Sequence, residues 1–166
     1  MILEIERRFL IQTDDWKKQV ISSEKIQQCY LSFNFEEWIV RVRIINQNKA
    51  FITLKNSLDG LVNTELEYII PVEDAEEILS KSTKKLTKQR YHLDLNNGSW
   101  IVDCFSGSNF PLAIAEVELK EKDSIVIKPS WCDIEITGEK LLSNVALANQ
   151  PISSWSQKDK TRFKIN

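Results

Sequence analysis

Three charged side chains occupy every second position near the start of the chain: Glu4, Glu6 and Arg8, within the stretch MILEIERRFLI of residues 1–11. On an extended strand, alternate side chains share one face. Two glutamates that share a face repel each other unless cations lie between them. Carboxylate oxygens beside a guanidinium suit a divalent metal that is bound to phosphate. The opening stretch therefore predicts a site for a metal ion and a phosphate compound.

Charges in the rest of the chain repeat this spacing and are sorted by sign. We call charged residues in phase when they are expected on the same face of the predicted strands. The in-phase acids are Glu4, Glu6, Glu65, Glu67, Asp103, Glu116 and Glu118, and the in-phase bases are Arg8, Arg41, Arg43, Lys55, Lys88, Arg90 and Lys120. The solvated outer face of an antiparallel sheet also alternates polar with apolar residues, but it ordinarily mixes charges with Ser, Thr, Asn and Gln. Same-sign pairs on successive strands instead favour a barrel with a charged interior.

Eight stretches must position these charges, and each of them predicts a strand. They are residues 1–11, 25–33, 36–45, 50–55, 61–70, 86–95, 100–105 and 112–120, with a further short strand expected at residues 131–137. Helices are expected at residues 14–22, 72–81 and 154–163, and a turn or short helix at residues 143–148. Eight antiparallel strands can close around an interior just wide enough for side chains or one small ligand. The predicted fold is mainly β (α+β), an eight-stranded antiparallel β-barrel tunnel with peripheral helices.

Composition indicates one ordinary globular domain spanning residues 1–166, with 42% hydrophobic and 28% charged residues. The net charge of -2 gives no global signal for nucleic acid or an anionic membrane. No stretch approaches the ~20 apolar residues of a membrane span, and Glu4 and Glu6 stand where a signal peptide would need an apolar run. We therefore expect a cytoplasmic protein that binds neither nucleic acid nor membrane. Cys29, Cys104 and Cys132 are expected to be reduced thiols, because they are odd in number and far apart.

The order of short motifs along the chain resembles that of the triphosphate tunnel metalloenzymes, the CYTH superfamily. The motifs are EIERRFLI (4–11), VRVR (40–43), TLK (53–55), ELEY (65–68), KQRY (88–91), WIVDCF (100–105), AEVEL (115–119), PSW (129–131), EIT (135–137) and SNVALA (143–148). The first of them corresponds to the ExExK signature of that family. The ordered series covers nearly the whole chain and is much more specific than that signature alone.

The resemblance, which is to bacterial CYTH-domain inorganic triphosphatases, implies hydrolysis of a triphosphate inside the tunnel with the help of Mg2+ or Mn2+. The implied metal ligands are Glu4, Glu6, Glu116 and Glu118, assisted by Glu65, Glu67 and Asp103, and the implied substrate-binding residues are Arg8, Arg41, Arg43, Lys55, Lys88 and Arg90. Lys88 matches a position at which related enzymes carry a lysine that orients or deprotonates the attacking water. Arg8 is the second implied catalytic residue.

Two departures from the family pattern affect these expectations. Arg8 replaces the lysine of the signature, so a planar fork that does not readily lose its proton stands where the family has a compact ammonium. Leu141 and Leu142 replace a family Arg-Tyr pair, beside the retained Lys140. We expect binding to survive both changes, whereas rate and substrate preference are the properties they put in question.

The simplest substrate is inorganic tripolyphosphate, because no nucleoside-recognition motif stands out. Alternatives within the family are a thiamine triphosphatase and a class IV adenylate cyclase, and the arginine at residue 8 makes a non-catalytic polyphosphate-binding domain a further alternative. The partner is in each case a small-molecule triphosphate or polyphosphate. Metal preference and oligomeric state stay open, with a homodimer among the options. His92 is expected to be a surface or wall residue, out of phase with Lys88 and Arg90.

Overall fold

Nine strands make up most of the described part of the chain in this computed structural model. It describes residues 2–32, 34, 37–57, 62–96 and 98–165, and of residues 2–4, 57 and 62 only the backbone. The strands are β1 (Ile2–Ile11), β2 (Val20–Ser32), β3 (Ile39–Ile45), β4 (Lys49–Ser57), β5 (Val62–Ile70), β6 (Lys85–Leu93), β7 (Ser99–Phe105), β8 (Ala113–Glu118) and β9 (Cys132–Glu135). Four residues at which predicted strands begin or end lie outside the described residues: 1, 33, 36 and 61.

Short helices connect and cover these strands. The α-helices are α1 (Val72–Lys81), α2 (Asn144–Asn149) and α3 (Gln157–Arg162), and 3-10 helices occupy Asp14–Gln19, Gly107–Asn109, Lys140–Leu142 and Ile152–Ser154. No helix in these ranges is long and apolar enough to span a membrane. The three predicted helical regions all contain helix, although the first is shorter and wholly 3-10, and the third is a shorter α-helix preceded by a 3-10 turn.

All strand pairings are antiparallel, in the order β5-β4-β3-β2-β6-β7-β8-β1-β9. β1 pairs in addition with β5, where Ile2 lies opposite Glu65 and Ile5 opposite Val62. This pairing brings together the two ends of the eight-strand series from β5 to β1. The predicted mainly β, antiparallel class is confirmed, and the ninth strand is the short one expected near residue 131.

The region after β1 differs from its prediction. Residues 14–22 were expected to be one helix, but the 3-10 helix stops at Gln19 and β2 begins at Val20, five residues before the predicted strand. The reason is that β2 is extended by pairing with β6, where Val20 lies opposite Leu93. The spacing of Trp16 and Val20 fits a helix locally, but the partner strand decides the outcome.

The two faces of the sheet carry different chemistry. On the outer face, Val42 and Ala50 pack beneath Ala75 of α1 in one apolar cluster. On the inner face, which carries Arg8 and the other in-phase charges, one end is filled by apolar side chains such as Leu10. These side chains pack against Leu147 and other residues of the C-terminal segment. We call this cluster around Leu10 and Leu147 the apolar base; it fills one end of the inner face, next to the charged residues.

Candidate active site

Asp103 lies on the inner face between two cations that β6 supplies. Arg90, its partner across β6 and β7, donates from Nε and Nη2 to the two carboxylate oxygens at 2.8 Å each. Lys88 Nζ donates to Oδ2 of the same carboxylate at 2.5 Å. Asp103 and Lys88 are only 1% and 2% exposed. Because an unpaired charge is costly to bury, each member of this central cluster, Asp103, Lys88 and Arg90, depends on the others.

The pKa values of the central cluster distinguish one exchangeable proton from two fixed ions. Burial lowers the pKa of Lys88 to about 8, and the attraction of Asp103 opposes that shift only in part. Burial alone would raise the pKa of Asp103, but the charges of Lys88 and Arg90 outweigh it and lower the pKa. Burial would lower the pKa of Arg90, but the charge of Asp103 outweighs it and raises the pKa. Lys88 is therefore the member able to exchange a proton near neutral pH.

Arg8 and Glu116 form a second buried ion pair beside the central cluster. They lie opposite each other across β1 and β8, and Arg8 Nε donates to Glu116 Oε1 at 3.0 Å. Arg8 Nη2 donates to the main-chain oxygen of Leu142, also at 3.0 Å. Burial would raise the pKa of Glu116, but Arg8 leads the charges that lower it. The two departures from the family pattern, at residue 8 and at residues 141–142, are thus in direct contact.

A further charged wall is formed by β3, β4 and β5. Arg43 Nη2 donates to Glu67 Oε2 at 2.9 Å, and Arg41 Nη2 donates to Thr53 Oγ1 at 3.2 Å. Thr53 Oγ1 in turn donates to Glu67 Oε2 at 2.8 Å. Burial and the neighbouring Arg41 lower the pKa of Arg43, and Arg90 adds to the shift. The β3–β5 wall and the central cluster therefore lie within electrostatic reach of each other.

Lys55 and Glu65 extend the β3–β5 wall toward β1. Lys55 Nζ lies 3.7 Å from Glu65 Oε2, and Arg41 Nη2 lies 3.4 Å from Glu65 Oε1. Ile2 of β1 is the backbone partner of Glu65. Lys55 and Arg41 thus lie where β5 and β1 meet.

Two arginines of the β3–β5 wall have donors still available. Arg41 Nε and Arg43 Nε are buried and have no hydrogen-bond partner among the described residues. A buried donor without an acceptor costs about 1–3 kcal/mol, so such groups in native proteins usually serve a ligand or a water. Guanidinium groups form strong hydrogen bonds with phosphate oxygens. These two donors therefore fit an oxyanion bound at the wall.

The acids with the best placement for a metal ion are Glu6 and Glu118, which lie opposite each other across β1 and β8. Glu118 is exposed and Glu6 is half-buried, whereas the side chain of Glu4 lies outside the described part of the chain. Within the described residues, no group of three or more His, Cys, Asp and Glu could hold a metal ion. Mg2+ is commonly bound by one or two carboxylates together with substrate phosphates. The oxygens of Glu6 and Glu118 fit that kind of site.

The structure brings the predicted site residues onto one face of the sheet in two groups. Arg8, Lys88, Arg90, Asp103 and Glu116 form the first group, and Arg41, Arg43, Lys55, Glu65 and Glu67 form the second. Glu6 and Glu118 continue β1 and β8 beyond the first group, while Lys120 lies after the end of β8. Four of the acids implied as metal ligands pair instead with arginine or lysine side chains, so their metal-binding roles stay predictions. They are Glu65, Glu67, Asp103 and Glu116.

Three polar residues near the site were missed by the sequence reasoning. Asn144 Oδ1 accepts a hydrogen bond from Lys88 Nζ at 3.0 Å, although α2 is distant from β6 along the chain. Gln28 and Tyr30 share the inner face of β2, and Gln28 Nε2 donates to the Tyr30 hydroxyl at 2.7 Å. Their alternate positions in a predicted strand could have identified them. No local pattern could have identified Asn144, because its contact depends on how the C-terminal segment folds back.

The prediction for His92 is wrong about its face. Residues 88, 90 and 92 are alternate positions of one strand, so His92 shares the inner face with Lys88 and Arg90. Its Nε2 lies 2.6 Å from Glu24 Oε1, and the side chain is 38% exposed. The residue is partly exposed, as a surface residue would be, but it is in phase with the central cluster.

Known proteins resemble this chain over nearly its whole length. Residues 3–140 match the model of the CYTH domain. An inorganic triphosphatase of Acetivibrio thermocellus is 34% identical over 156 residues, which are 93% of this chain and 98% of that protein. The crystal structure of the inorganic triphosphatase NE1496 superposes with a TM-score of 0.67 at 30% identity, covering 89% of this chain and 95% of that one.

A more distant structure shares the fold alone. The PH1012 protein from Pyrococcus horikoshii OT3 is 24% identical, with a TM-score of 0.57 over 72% of this chain and 81% of that one. Taken with the match to residues 3–140, the likeness in sequence and the charged inner face, these findings show that the chain belongs to the CYTH domain family.

Proposed function

We propose that this chain is a divalent-metal-dependent triphosphatase that hydrolyses inorganic tripolyphosphate to pyrophosphate and orthophosphate. The observation that carries the proposal is the pair of buried guanidinium donors, Arg41 Nε and Arg43 Nε, without an acceptor among the described residues. A triphosphate can supply oxygens to both. The names of the relatives, two inorganic triphosphatases at 34% and 30% identity, support the same substrate class.

The substrate would bind through the cations of both groups. Arg41, Arg43 and Lys55 would hold phosphate oxygens on the β3–β5 wall, while Arg90 would do so from the central cluster. Each of these cations lies within 4.0 Å of a carboxylate. Binding therefore exchanges carboxylate contacts for phosphate contacts, and charge is balanced in both states.

The metal would be held by Glu6 and Glu118, with Glu4 on the same strand, and assisted by the remaining acids named above. Mg2+ or Mn2+ at such a site supplies positive charge to the phosphate oxygens and so stabilises the charge that develops during hydrolysis. Both ions are those that the resemblance to the family implies.

Lys88 would manage the proton of the attacking water. The water oxygen forms a bond to the terminal phosphorus, and the bridging P–O bond breaks with its electron pair going to pyrophosphate. The proton released from the water goes to the free amine of Lys88, whose pKa is lowered by burial to about 8. Asp103 and Asn144 fix the position of Lys88 Nζ through hydrogen bonds of 2.5 Å and 3.0 Å. Cations around the terminal phosphate stabilise the transition state.

Phosphate release tests the proposal directly. The protein, with Mg2+ or Mn2+, is given tripolyphosphate, thiamine triphosphate, ATP and pyrophosphate, and we expect tripolyphosphate to be hydrolysed fastest and EDTA to stop the reaction. Preference for thiamine triphosphate, or formation of cyclic AMP and pyrophosphate from ATP, would instead favour one of the other family activities. Binding of tripolyphosphate without hydrolysis would favour a binding domain.

A matched pair of variants tests the substrate site. Arg43→Ala should raise KM about tenfold or more, because a charge-assisted hydrogen bond contributes ~1.5–3 kcal/mol. Arg7→Ala is the control, since Arg7 points to the outer face and pairs with Glu135. Equal KM values in the two variants would contradict the placement of phosphate at the β3–β5 wall.

A further inference from the structure

Gln28 is an uncharged polar residue buried among the charged groups of the inner face. It lies opposite Arg43 across β2 and β3 and opposite Leu86 across β2 and β6. Lys88, two residues from Leu86 on β6, is its diagonal neighbour, a relation that places two side chains about 7–8 Å apart at their Cα atoms. Gln28 is 1% exposed. It therefore lies between the arginine that would hold phosphate and the lysine that would take a proton.

One polar atom of the Gln28 amide is unsatisfied. Its Nε2 donates to the Tyr30 hydroxyl at 2.7 Å, while its Oε1 is buried and has no partner within the described ranges. Burial raises the pKa of Tyr30 to about 12, so its hydroxyl keeps its proton and can either accept or donate. Either orientation of the amide therefore leaves one atom without a protein partner.

The chemistry of the available atom selects its ligand. When Nε2 donates to Tyr30, the available atom is Oε1, which accepts hydrogen bonds only and therefore cannot bind a fully ionised phosphate oxygen. Water both donates and accepts, and it satisfies the amide in either orientation. The neighbouring donor Arg43 Nε is also buried and unpaired among the described residues, and it suits a phosphate oxygen. A phosphate on Arg43 with a water on Gln28 satisfies both atoms.

We propose that Gln28 positions the water that attacks the terminal phosphorus. The proposal rests on the hydrolysis proposed above and adds a residue outside the charged set. The water oxygen forms the new P–O bond while the bridging P–O bond breaks and its electron pair goes to pyrophosphate. One water proton is released as in the hydrolysis proposed above, and the other points toward Gln28 Oε1. Gln28 thereby fixes the direction of attack, and hydrolysis depends strongly on such alignment.

Gln28→Met tests this role, with Gln27→Met as the matched control. Gln27 is the adjacent residue of the same type, but it points to the outer face, where it lines a groove with Ile44 and Leu79. Gln28→Met should lower kcat for tripolyphosphate by about 10²-fold, with KM within about twofold of wild type. Its thermal unfolding midpoint should fall only modestly, because methionine has a similar shape and removes the unsatisfied Oε1, while the Tyr30 hydroxyl loses its hydrogen bond. Gln27→Met should keep both kinetic constants.

Each outcome bears on the proposal. Wild-type kcat in Gln28→Met, or an unchanged kcat with a raised KM, would overturn the role of Gln28 and leave the proposed function in place. Absence of hydrolysis by the wild-type protein on every phosphate compound would overturn both. If Gln28→Met does not fold, Tyr30→Phe removes only the hydroxyl that fixes the amide. That variant should then show a lower kcat at unchanged KM, and an unchanged kcat would overturn the proposal.

Discussion

Arg8 shows how one side chain can connect distant parts of the charged interior. Its Nε contacts Glu116 of β8, and its Nη2 contacts the main-chain oxygen of Leu142 in the C-terminal segment, both at 3.0 Å. A guanidinium can serve two such acceptors at once because its donors point in fixed, different directions. The length and shape of Arg8 therefore suit the main-chain oxygen of Leu142, which its Nη2 reaches while Nε stays on Glu116.

Replacing Arg8 by lysine should weaken this connection. We expect Arg8→Lys to lower the free energy of unfolding by about 1–3 kcal/mol, because a single ammonium leaves one buried acceptor without its partner. Turnover should fall as well, since Glu116 would lose its fixed partner. Urea denaturation and steady-state kinetics check both effects.

The control for this change is Arg7→Lys on the same strand. Arg7 pairs with Glu135 on the outer face, where the two side chains are 30% and 39% exposed. Exposed ion pairs contribute only about 0–1 kcal/mol, so this variant should remain close to wild type. A larger loss in Arg7→Lys than in Arg8→Lys would contradict the connecting role of Arg8.

Asp103 should make the stability of the protein sensitive to acid. Its folded-state pKa lies below the ordinary value of 3.8, so its contribution is fully present above about pH 4 and is lost as the pH falls toward the folded-state pKa. Asp103→Asn should lower the free energy of unfolding at pH 7 by about 3–5 kcal/mol, because Lys88 and Arg90 lose their shared anion. It should also weaken the decline of stability in acid, measured by urea denaturation between pH 7 and pH 3.

Asp94→Asn is the control for this pH dependence, because Asp94 is an exposed carboxylate just after β6. We expect it to reproduce the wild-type curve. An Asp103→Asn curve parallel to that of wild type, displaced by a constant amount, would contradict the low pKa assigned to Asp103.

At the scale of elements, the C-terminal segment connects the apolar base to the charged residues above it. Leu147 of α2 is fully buried in the cluster that fills one end of the inner face. Asn144 in the first turn of the same helix contacts Lys88, and the Ser143 hydroxyl caps the helix by accepting from the Ala146 N–H. The packing of α2 therefore controls the position of a group that contacts the predicted catalytic lysine.

Leu147→Ala should consequently affect both stability and turnover. We expect the free energy of unfolding to fall by about 2–5 kcal/mol, as for other buried leucines, and kcat to fall because Asn144 moves with the helix. Chemical denaturation and phosphate release measure the two effects. Ile125→Ala, at a side chain that is 92% exposed, should change neither. Loss of stability with wild-type kcat would separate α2 from the site.

The strands could be predicted from sequence because charged and apolar residues alternate along them, and alternate side chains of a strand face the same way. The pairs Arg41 and Arg43, and Glu65 and Glu67, are examples, and the structure places them on one wall. Partners could not be predicted, because they depend on register between strands far apart in the chain. The contact of Arg8 with Leu142 is one case.

At the scale of the whole molecule, a net charge of only -2 conceals a concentration of paired charges in the interior. Arg8, Lys88, Asp103 and Glu116 are all buried. Buried ion pairs contribute little to stability when compared with apolar packing of the same volume. Their retention in the interior is therefore better explained by binding than by folding.

Tripolyphosphate should accordingly stabilise the folded protein. A ligand that binds only the folded state adds about 2.7 kcal/mol at a concentration of 100 Kd, so the thermal unfolding midpoint should rise with ligand concentration. Differential scanning fluorimetry with EDTA present measures binding separately from turnover, and sulfate at equal ionic strength is the control. An equal rise with sulfate would indicate a general salt effect and contradict specific binding.

The pairings of β1 have a consequence for how the protein is made. Its partners are Val62–Glu65 of β5, Ile114–Glu118 of β8 and Cys132–Glu135 of β9. β1 therefore precedes all of these partners in the chain and pairs with them only after they have been synthesised. We expect the alternating charges of β1, which prepare one face for a ligand, also to oppose edge-to-edge association while the strand is still unpaired.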